Sequence, residues 1–477
     1  MRHFGIFVLL LLALASCRKN GMEILPSEPE QASKSPAKDE ALSYVFDESV
    51  LPEIHIFVTE SEWNRLLREF DADINTEEYI YCDVTYIKGS DTTVVNWAGL
   101  RLKGNSSRRR PEGSYGKPHN PEAPSWHHAH FGLNFHKYVK DDEHKVHGMQ
   151  KVYLKWFKDD PLYVREIYCF DLFRRYGVWT AVNDVHCRVF LKVGNGKEAY
   201  FGVYQMMEPV DDHYLKRRED IFRFYGGDED GYLWKCQWAS SLRWTDDANF
   251  SDGADTKNHP YTLKTRLDEF SKAREMFKDF IEKVNMRSDE EFWAWIEEVC
   301  DVQLLLRTIA VTVAVGSWDD YWNNHNNWYL YFDKTGPDYH FYYIPYDFDY
   351  TLGTSGDTYF QKDAAVKNPL HWGTSAYPLI YRIIQKPEWR DYYVQCLKEL
   401  CRPDKDYLYY SYSIDRIKAW HRKISPYIYN DTHEDCEIID YPASFGTTPW
   451  YRLLDTDPTV NFFRVKARVI NSLGANF

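Results

Sequence analysis

Apolar and polar residues alternate with a period of two over much of the first half of the chain, and with a helical period over much of the second. Leu51–Val58 alternates as a half-buried strand does. Thr59 and Glu62 then have the spacing of a capping box ahead of Trp63–Leu67, which predicts a helix start. Tyr79–Lys88 and Thr92–Lys103 predict two strands joined by the turn residues Gly89-Ser90-Asp91. Residues 106–124 have no period and are rich in Arg, Gly, Pro and Ser, so they predict a long surface loop. His130–Phe135 and Lys151–Phe157 read as strands, and Asp160-Pro161 as the start of a helix running to about Tyr176. Val185–Val193 and Tyr200–Met207 predict a hairpin around Gly194-Asn195-Gly196-Lys197.

Beyond this point the helical period dominates. Leu267–Val284, a segment after the capping-box spacing Ser288/Glu291, and Val302–Val315 all predict helices, as do Leu379–Ile384 and Trp389–Leu400. Trp328–Phe332 and His340–Ile344 interrupt them as short strands. Strands first and helices later imply an α+β fold, with one large domain or two lobes over residues 46–477.

The chain's first residues carry a different message. Arg2 and His3 precede the apolar run Phe4–Ala15, which is shorter than the roughly 20 residues that span a bilayer. Such a start reads as a secretory signal, and Leu14-Ala15-Ser16-Cys17 resembles a bacterial lipobox, making residues 1–17 a signal and Cys17 the lipidation site. Residues 18–45 are rich in Pro, Ser, Glu and Lys and read as a disordered tether. The expectation is a domain held at a bacterial cell envelope by its lipid. A net charge of −14 argues against a nucleic-acid partner. The other cysteines show no metal-ligand spacing.

Four clusters suggest chemistry. Gly99–Ser107 runs a strand with Arg101 and Lys103 into the turn Gly104-Asn105-Ser106-Ser107, whose N–H groups offer an anion cradle. Tyr204–Asp211 ends a strand in Glu208 and Asp211; capping by Asp211 is the plainer reading. In Gly316–Tyr331 a long apolar helix leads into Asp319, Asp320 and an Asn-rich loop. These side chains either bind a hard cation or satisfy nearby backbone groups. Ile344–Asp349 places Asp347 and Asp349 after a buried strand, where two carboxylates repel unless a cation separates them. Trp126–His130 adds three histidines, with His128 and His130 on one face of a strand. Hydrogen bonding explains such a pair more readily than a metal does.

In their order these segments resemble the CotH (spore-coat protein H) kinase-like family. The match includes Gly99-x-Arg101-x-Lys103-Gly104-Asn105-Ser106-Ser107, the Asp160-Pro161…Arg165-Glu166 segment, Gly202-x-Tyr204-x-x-x-Glu208-x-x-Asp211, Gly231-Tyr232-Leu233-Trp234-Lys235, Asn326–Tyr331 and Ile344–Asp349. The resemblance implies an atypical, bilobal protein-kinase-like domain, with a strand-rich N-terminal part and a helix-rich C-terminal part. It implies ATP and Mg²⁺ as cofactors and Ser or Thr of a partner protein as acceptor. On it, Asp319 or Asp320 positions the acceptor hydroxyl, and Asn327, Asp347 and Asp349 are the metal ligands. Arg101, Lys103, Asn105, Ser106, Lys155 and Glu208 are on the nucleotide side. Family members carry Lys in the strand Phe131–Phe135, where this chain has Asn134. Two alternatives stand beside this reading. One is a non-catalytic surface protein that binds a protein or glycan, which the aromatic content of 17% also fits; the other is a different metal-assisted transferase or hydrolase.

Overall fold

The computed structural model describes residues 40–224, 231–255, 258–286, 288–354, 363–442 and 451–474. The signal, Cys17 and most of the expected tether lie outside them. Residues 40–45 do not continue that tether. They form helix α1 (Glu40–Val45), which is tied to the domain. Val45 is buried, the Tyr44 hydroxyl donates to Asp91 at 2.9 Å, and Lys88 donates to the Asp47 carbonyl at 2.6 Å.

The first half is built as hairpins. After β1 (Glu53–Val58) comes α2 (Glu60–Ala72), capped by Thr59 as its spacing predicts. Its face of Trp63, Leu66, Leu67 and Phe70 is buried, each side chain contributing about 1.5–3 kcal/mol. β2 (Ile80–Lys88), β3 (Asp91–Lys103), β4 (His130–Asn134) and β5 (Lys151–Lys155) follow in antiparallel order. Helix α3 (Arg165–Arg175) then leads to the hairpin β6 (Asp184–Val193) and β7 (Ala199–Met207). β7 pairs with β5, and β6 returns to lie parallel to β1. The strands therefore close into a barrel in the order β1-β2-β3-β4-β5-β7-β6. Closure corrects the expected layout, since no periodicity in single strands says that first and last will pair.

The expected start of α3 is also corrected. Asp160 does not precede a helix directly. Its carboxylate accepts from the N–H groups of Val164 and Arg165 at 2.9 and 2.8 Å. Tyr163 sits at φ +61, so the helix begins only at Arg165.

The second half is not purely helical. α4 (Asp212–Lys216) is capped by Asp211. β8 (Tyr232–Cys236), β9 (Phe250–Ser251) and β10 (Tyr261–Leu263) come next. Helices α5 (Phe270–Met286), α6 (Asp289–Val299) and α7 (Val302–Ala314) match their predicted spans closely, including the Ser288/Glu291 capping box. α8 (Tyr321–Asn324) leads into β11 (Trp328–Phe332) and β12 (Phe341–Pro345). These strands form a second sheet in the order β12-β11-β8-β10-β9. Gly231 opens β8 because a Cβ there would lie 1.5 Å from the Phe332 carbonyl oxygen. α9 (Pro378–Ile383), α10 (Pro387–Leu400), α11 (Tyr410–Ile424) and α12 (Phe462–Asn471) complete the chain. α7 is buried on nearly every side and packs on α3, α10 and β12. The fold is thus mixed α/β, with one core inside the barrel and a larger one around α7.

Candidate functional site

The barrel's register assembles a row of polar side chains from distant parts of the sequence. Lys103 on β3 faces His130 on β4. The β4–β5 register, which pairs Phe131 with Leu154, sets His130 opposite Lys155, and Lys155 faces Gln205 on β7. Leu102, Phe131, Leu154 and Met206, one residue along each strand, belong to the barrel core. The Lys103–His130–Lys155–Gln205 row therefore points outwards. Arg101, Gly132 and Tyr153 form the next row on the same face, and Gly132 leaves room for the Arg101 side chain to lie across it.

Lys155 is the hub. Its ammonium lies 2.5 Å from Glu166 on α3 and 2.7 Å from Asp347, just beyond β12. Glu166 also accepts from the Phe348 N–H at 3.1 Å, so the helix, the strand and the Asp347–Asp349 segment are clasped together. Phe348 packs edge-on against Phe170 and Phe173 of α3. Asp347 stands at φ +61, a conformation that costs free energy and is concentrated at functional sites.

The charges are unevenly shared. Burial works against the Lys155 charge, but Asp347 and Glu166 outweigh it and raise its pKa. Burial also opposes charge on Asp347, yet Lys155, Lys103 and Lys235 pull it down to about 2. Burial raises Glu166, with Lys155 opposing. Burial and then repulsion from Asp347 push Asp349 well above the usual carboxylate range. The Glu166 side chain is 4% exposed and sealed, whereas that of Asp347 is 33% exposed and open to a ligand.

The Asn-rich loop approaches the same centre. Asp319 accepts side-chain N–H groups from Asn324, from Asn326 at 3.1 Å and from Asn327 at 2.9 Å. Burial raises it to about 6 in spite of these donors, and the charge of Asp347 adds to the rise. Asp320 is differently employed. It caps α8 through the Asn323 N–H at 2.6 Å, accepts from the Trp372 indole at 3.1 Å, and is buried. Those bonds tie Asp320 to the α8 cap and the Trp372 indole. Asp319 instead accepts on both oxygens from the loop asparagines and is the aspartate of the two that the charge of Asp347 raises, which makes it the better placed candidate.

The other expected residues divide in the same way. Lys103 donates to the Tyr346 hydroxyl at 3.0 Å and lies over the Tyr153 ring. Burial, then the charges of Lys155 and Lys235, lower it to about 7. Arg101 pairs with Glu77 at 3.1 Å and bonds the Tyr79 hydroxyl. Asn105 and Ser106 sit exposed on a turn held by Arg108, which donates to the Gly104 carbonyl at 3.1 Å. Asn134 lies in the row with Gly99 and Lys151, and its side-chain oxygen takes the His136 N–H. A lysine there would stand four residues, about 13 Å of strand, from the row that holds Lys155.

Glu208 lies elsewhere. It is fully buried and accepts two bonds from Arg218, at 3.0 Å each, and one from the Asn183 amide. Its charge is therefore spent on Arg218 within the fold. Glu208→Ala strands that arginine and is expected to cost about 3–5 kcal/mol, read as a lower denaturant midpoint at unchanged slope.

Among the described residues no three His, Cys, Asp or Glu side chains converge as a metal cage. His127 and His128 bond Glu434 and Asp435, which accounts for them without a metal. The described cysteines are all free thiols, and all but Cys436 are buried.

Sequence reading assigned no role to Glu166 or Lys235. Glu166 lay in the Arg165-Glu166 segment, but its partner is revealed only by the β5–α3 packing. Lys235 on β8 is lowered to about 8 by burial and by its neighbour Lys264, and it bears on Asp347 from the second sheet.

Barrel, second sheet and helices thus define a mixed α/β protein whose parts meet at a lysine–carboxylate centre. A family model for CotH kinase protein matches residues 100–444, and the chain belongs to that kinase-like family. No curated protein matches the chain.

Proposed function

We propose that this protein transfers a phosphoryl group from Mg-ATP to a Ser or Thr hydroxyl of a partner protein. We further propose that it does so at a bacterial cell envelope, held there by a lipid on Cys17. The observation that carries the catalytic reading is the Lys155–Glu166–Asp347 cluster with Asp319 set against it. Phosphoryl transfer needs a lysine held by a helix glutamate, an aspartate for metal, and another to orient the nucleophile. The chain has each, in a kinase-like order.

The donor set fits a hard cation. Asp347 is pulled down to about 2 while burial and then Asp347 push Asp349 well above the usual carboxylate range, a conflict that a divalent ion relieves. Mg²⁺ is usually bound by one or two carboxylates together with substrate phosphates rather than by an all-protein cage. Asp347 and Asp349 would hold it, with the Asn327 amide oxygen beside them. Bound there, it supplies charge neutralisation at the phosphates. Lys103 and Lys235, crowded and lowered, are cations whose charge an anion would stabilise. Asp319 accepts the acceptor's proton.

One observation favours a second reading, in which the fold binds a glycan or protein without catalysis. A bulge in the β2–β3 pairing turns Trp97 outward at φ +57, where it is 59% exposed and packs edge-on against Tyr81, with Tyr138 adjoining. Such a platform suits stacking on a sugar face.

Thermal unfolding separates the two. Mg-ATP at a hundredfold excess over Kd is expected to stabilise the wild type by about 2.7 kcal/mol. The gain should vanish in Asp347→Ala, and label from γ-phosphate should appear on protein hydroxyls only with the wild type. Stabilisation by oligosaccharide and none by nucleotide would favour the binder instead.

A further inference from the structure

His130 stands between two lysines on the outward face of the barrel. Its Nδ1 lies 3.1 Å from the backbone nitrogen of Trp156. A backbone N–H can only donate, so Nδ1 is the acceptor and the ring's proton is on Nε2. The tautomer is therefore fixed by the backbone immediately after β5.

That Nε2–H bonds to none of the described residues, although the residue as a whole is only 5% exposed. His128, by contrast, uses both nitrogens, on Asp435 and on the Phe201 carbonyl. The outer nitrogen of His130 is thus a donor free to meet a ligand, while the inner one is spent on the backbone.

Its surroundings indicate what kind of acceptor it would meet. The cross-strand register sets His130 between Lys103 and Lys155 on the outward face. Burial and then the charges of Lys155 and Lys103 keep the ring neutral, well below its usual pKa. An acceptor that comes within reach of both lysines and of the Nε2–H is anionic and oxygen-rich. A third ammonium at this position would add repulsion to a lysine already lowered, whereas a neutral imidazole adds a hydrogen bond without adding charge.

We infer that His130 is a phosphate-binding residue, donating its Nε2 hydrogen to a phosphate oxygen of the bound nucleotide from between Lys103 and Lys155. This rests on the nucleotide reading above and adds to it a neutral donor that the lysines cannot replace.

Two substitutions divide the ring's functions. His130→Asn carries its amide near the position of Nδ1, so it retains an acceptor for Trp156 and loses the outer donor. His130→Gln reaches the position of Nε2 and gives up the inner acceptor. Calorimetric titration uses Mg-ADP and, separately, Mg-tripolyphosphate, with melting curves as a check on folding. The expected result is a loss of affinity of about 10- to 100-fold for His130→Asn. His130→Gln should stay within about threefold of wild type. Nitrogen NMR of the wild type should show Nε2 protonated, with its resonance moving on addition of either probe.

Wild-type affinity in His130→Asn, equal losses in both variants, or a proton on Nδ1 would overturn the assignment while leaving the nucleotide reading in place. A wild type that binds neither probe would overturn both.

Discussion

Replacing Lys155 with methionine is expected to lower the stability of the protein by about 3–5 kcal/mol and to abolish phosphoryl transfer. The ammonium lies between Glu166 and Asp347, at 2.5 and 2.7 Å, with the Glu166 side chain sealed from solvent. Methionine preserves most of the packing of the lysine stem, so the loss is chiefly electrostatic. It leaves two carboxylates facing each other in a buried site. The measurement is a denaturant midpoint at constant slope. Adding Glu166→Gln removes the charge that the first change strands, so the double variant should recover part of the loss. A single-variant cost below about 1 kcal/mol would mean that the cluster is solvated like a surface pair.

The same cluster sets an acid limit. Asp347 falls from 3.8 to about 2 in the folded protein. A depressed carboxylate contributes stability that is complete above its unfolded value and is lost as pH drops through the folded one. Its share should therefore disappear between about pH 4 and pH 2.

Local signals in the sequence were dependable where the physics is local. Thr59 and the Ser288/Glu291 pair cap their helices as read, because each cap depends on residues three apart. Trp328–Phe332 has the bounds that its apolar run implies. The polar row was not legible. Lys103, His130 and Lys155 are separated by long loops, and only the register of β3, β4 and β5 aligns them. One residue of slip would turn every one of them into the barrel. The segment Gly231–Lys235 could be quoted as a family word but not read as a strand, because its neighbours β10 and β11 are far along the chain. The expectation for Asn134 had a similar origin. A lysine is present, but it comes from the adjacent strand, and pairing rather than sequence position puts Lys155 beside Glu166.

The acidic loops show how far residue types alone could go. Asp319 and Asp320 are neighbours of the same kind, and no pattern divides them. The fold does so, since Asp320 begins α8 while Asp319 faces the asparagines and Asp347. On the proposed assignment, Asp319→Asn should reduce transfer by about 10²- to 10⁴-fold while leaving Mg-ATP affinity nearly unchanged. The asparagine fits the same amide-lined space but cannot take the hydroxyl proton. The pH profile gives an independent check. Asp319 is raised to about 6 and acts only when ionised, so wild-type turnover should climb as pH rises through about 6. That limb should be missing from the residual rate of Asp319→Asn. Stability moves in the opposite direction, because a carboxyl group whose folded pKa is raised contributes most below its unfolded value, and that contribution is lost as pH rises through the folded one. The variant should therefore lose stability less steeply than the wild type between about pH 4 and 6. Asp320→Ala is the control. Its deletion removes a helix cap worth about 1 kcal/mol and should affect melting more than turnover. If Asp320→Ala instead removed the pH limb, and Asp319→Asn kept it, the base would be Asp320 and the geometry assigned here would be wrong.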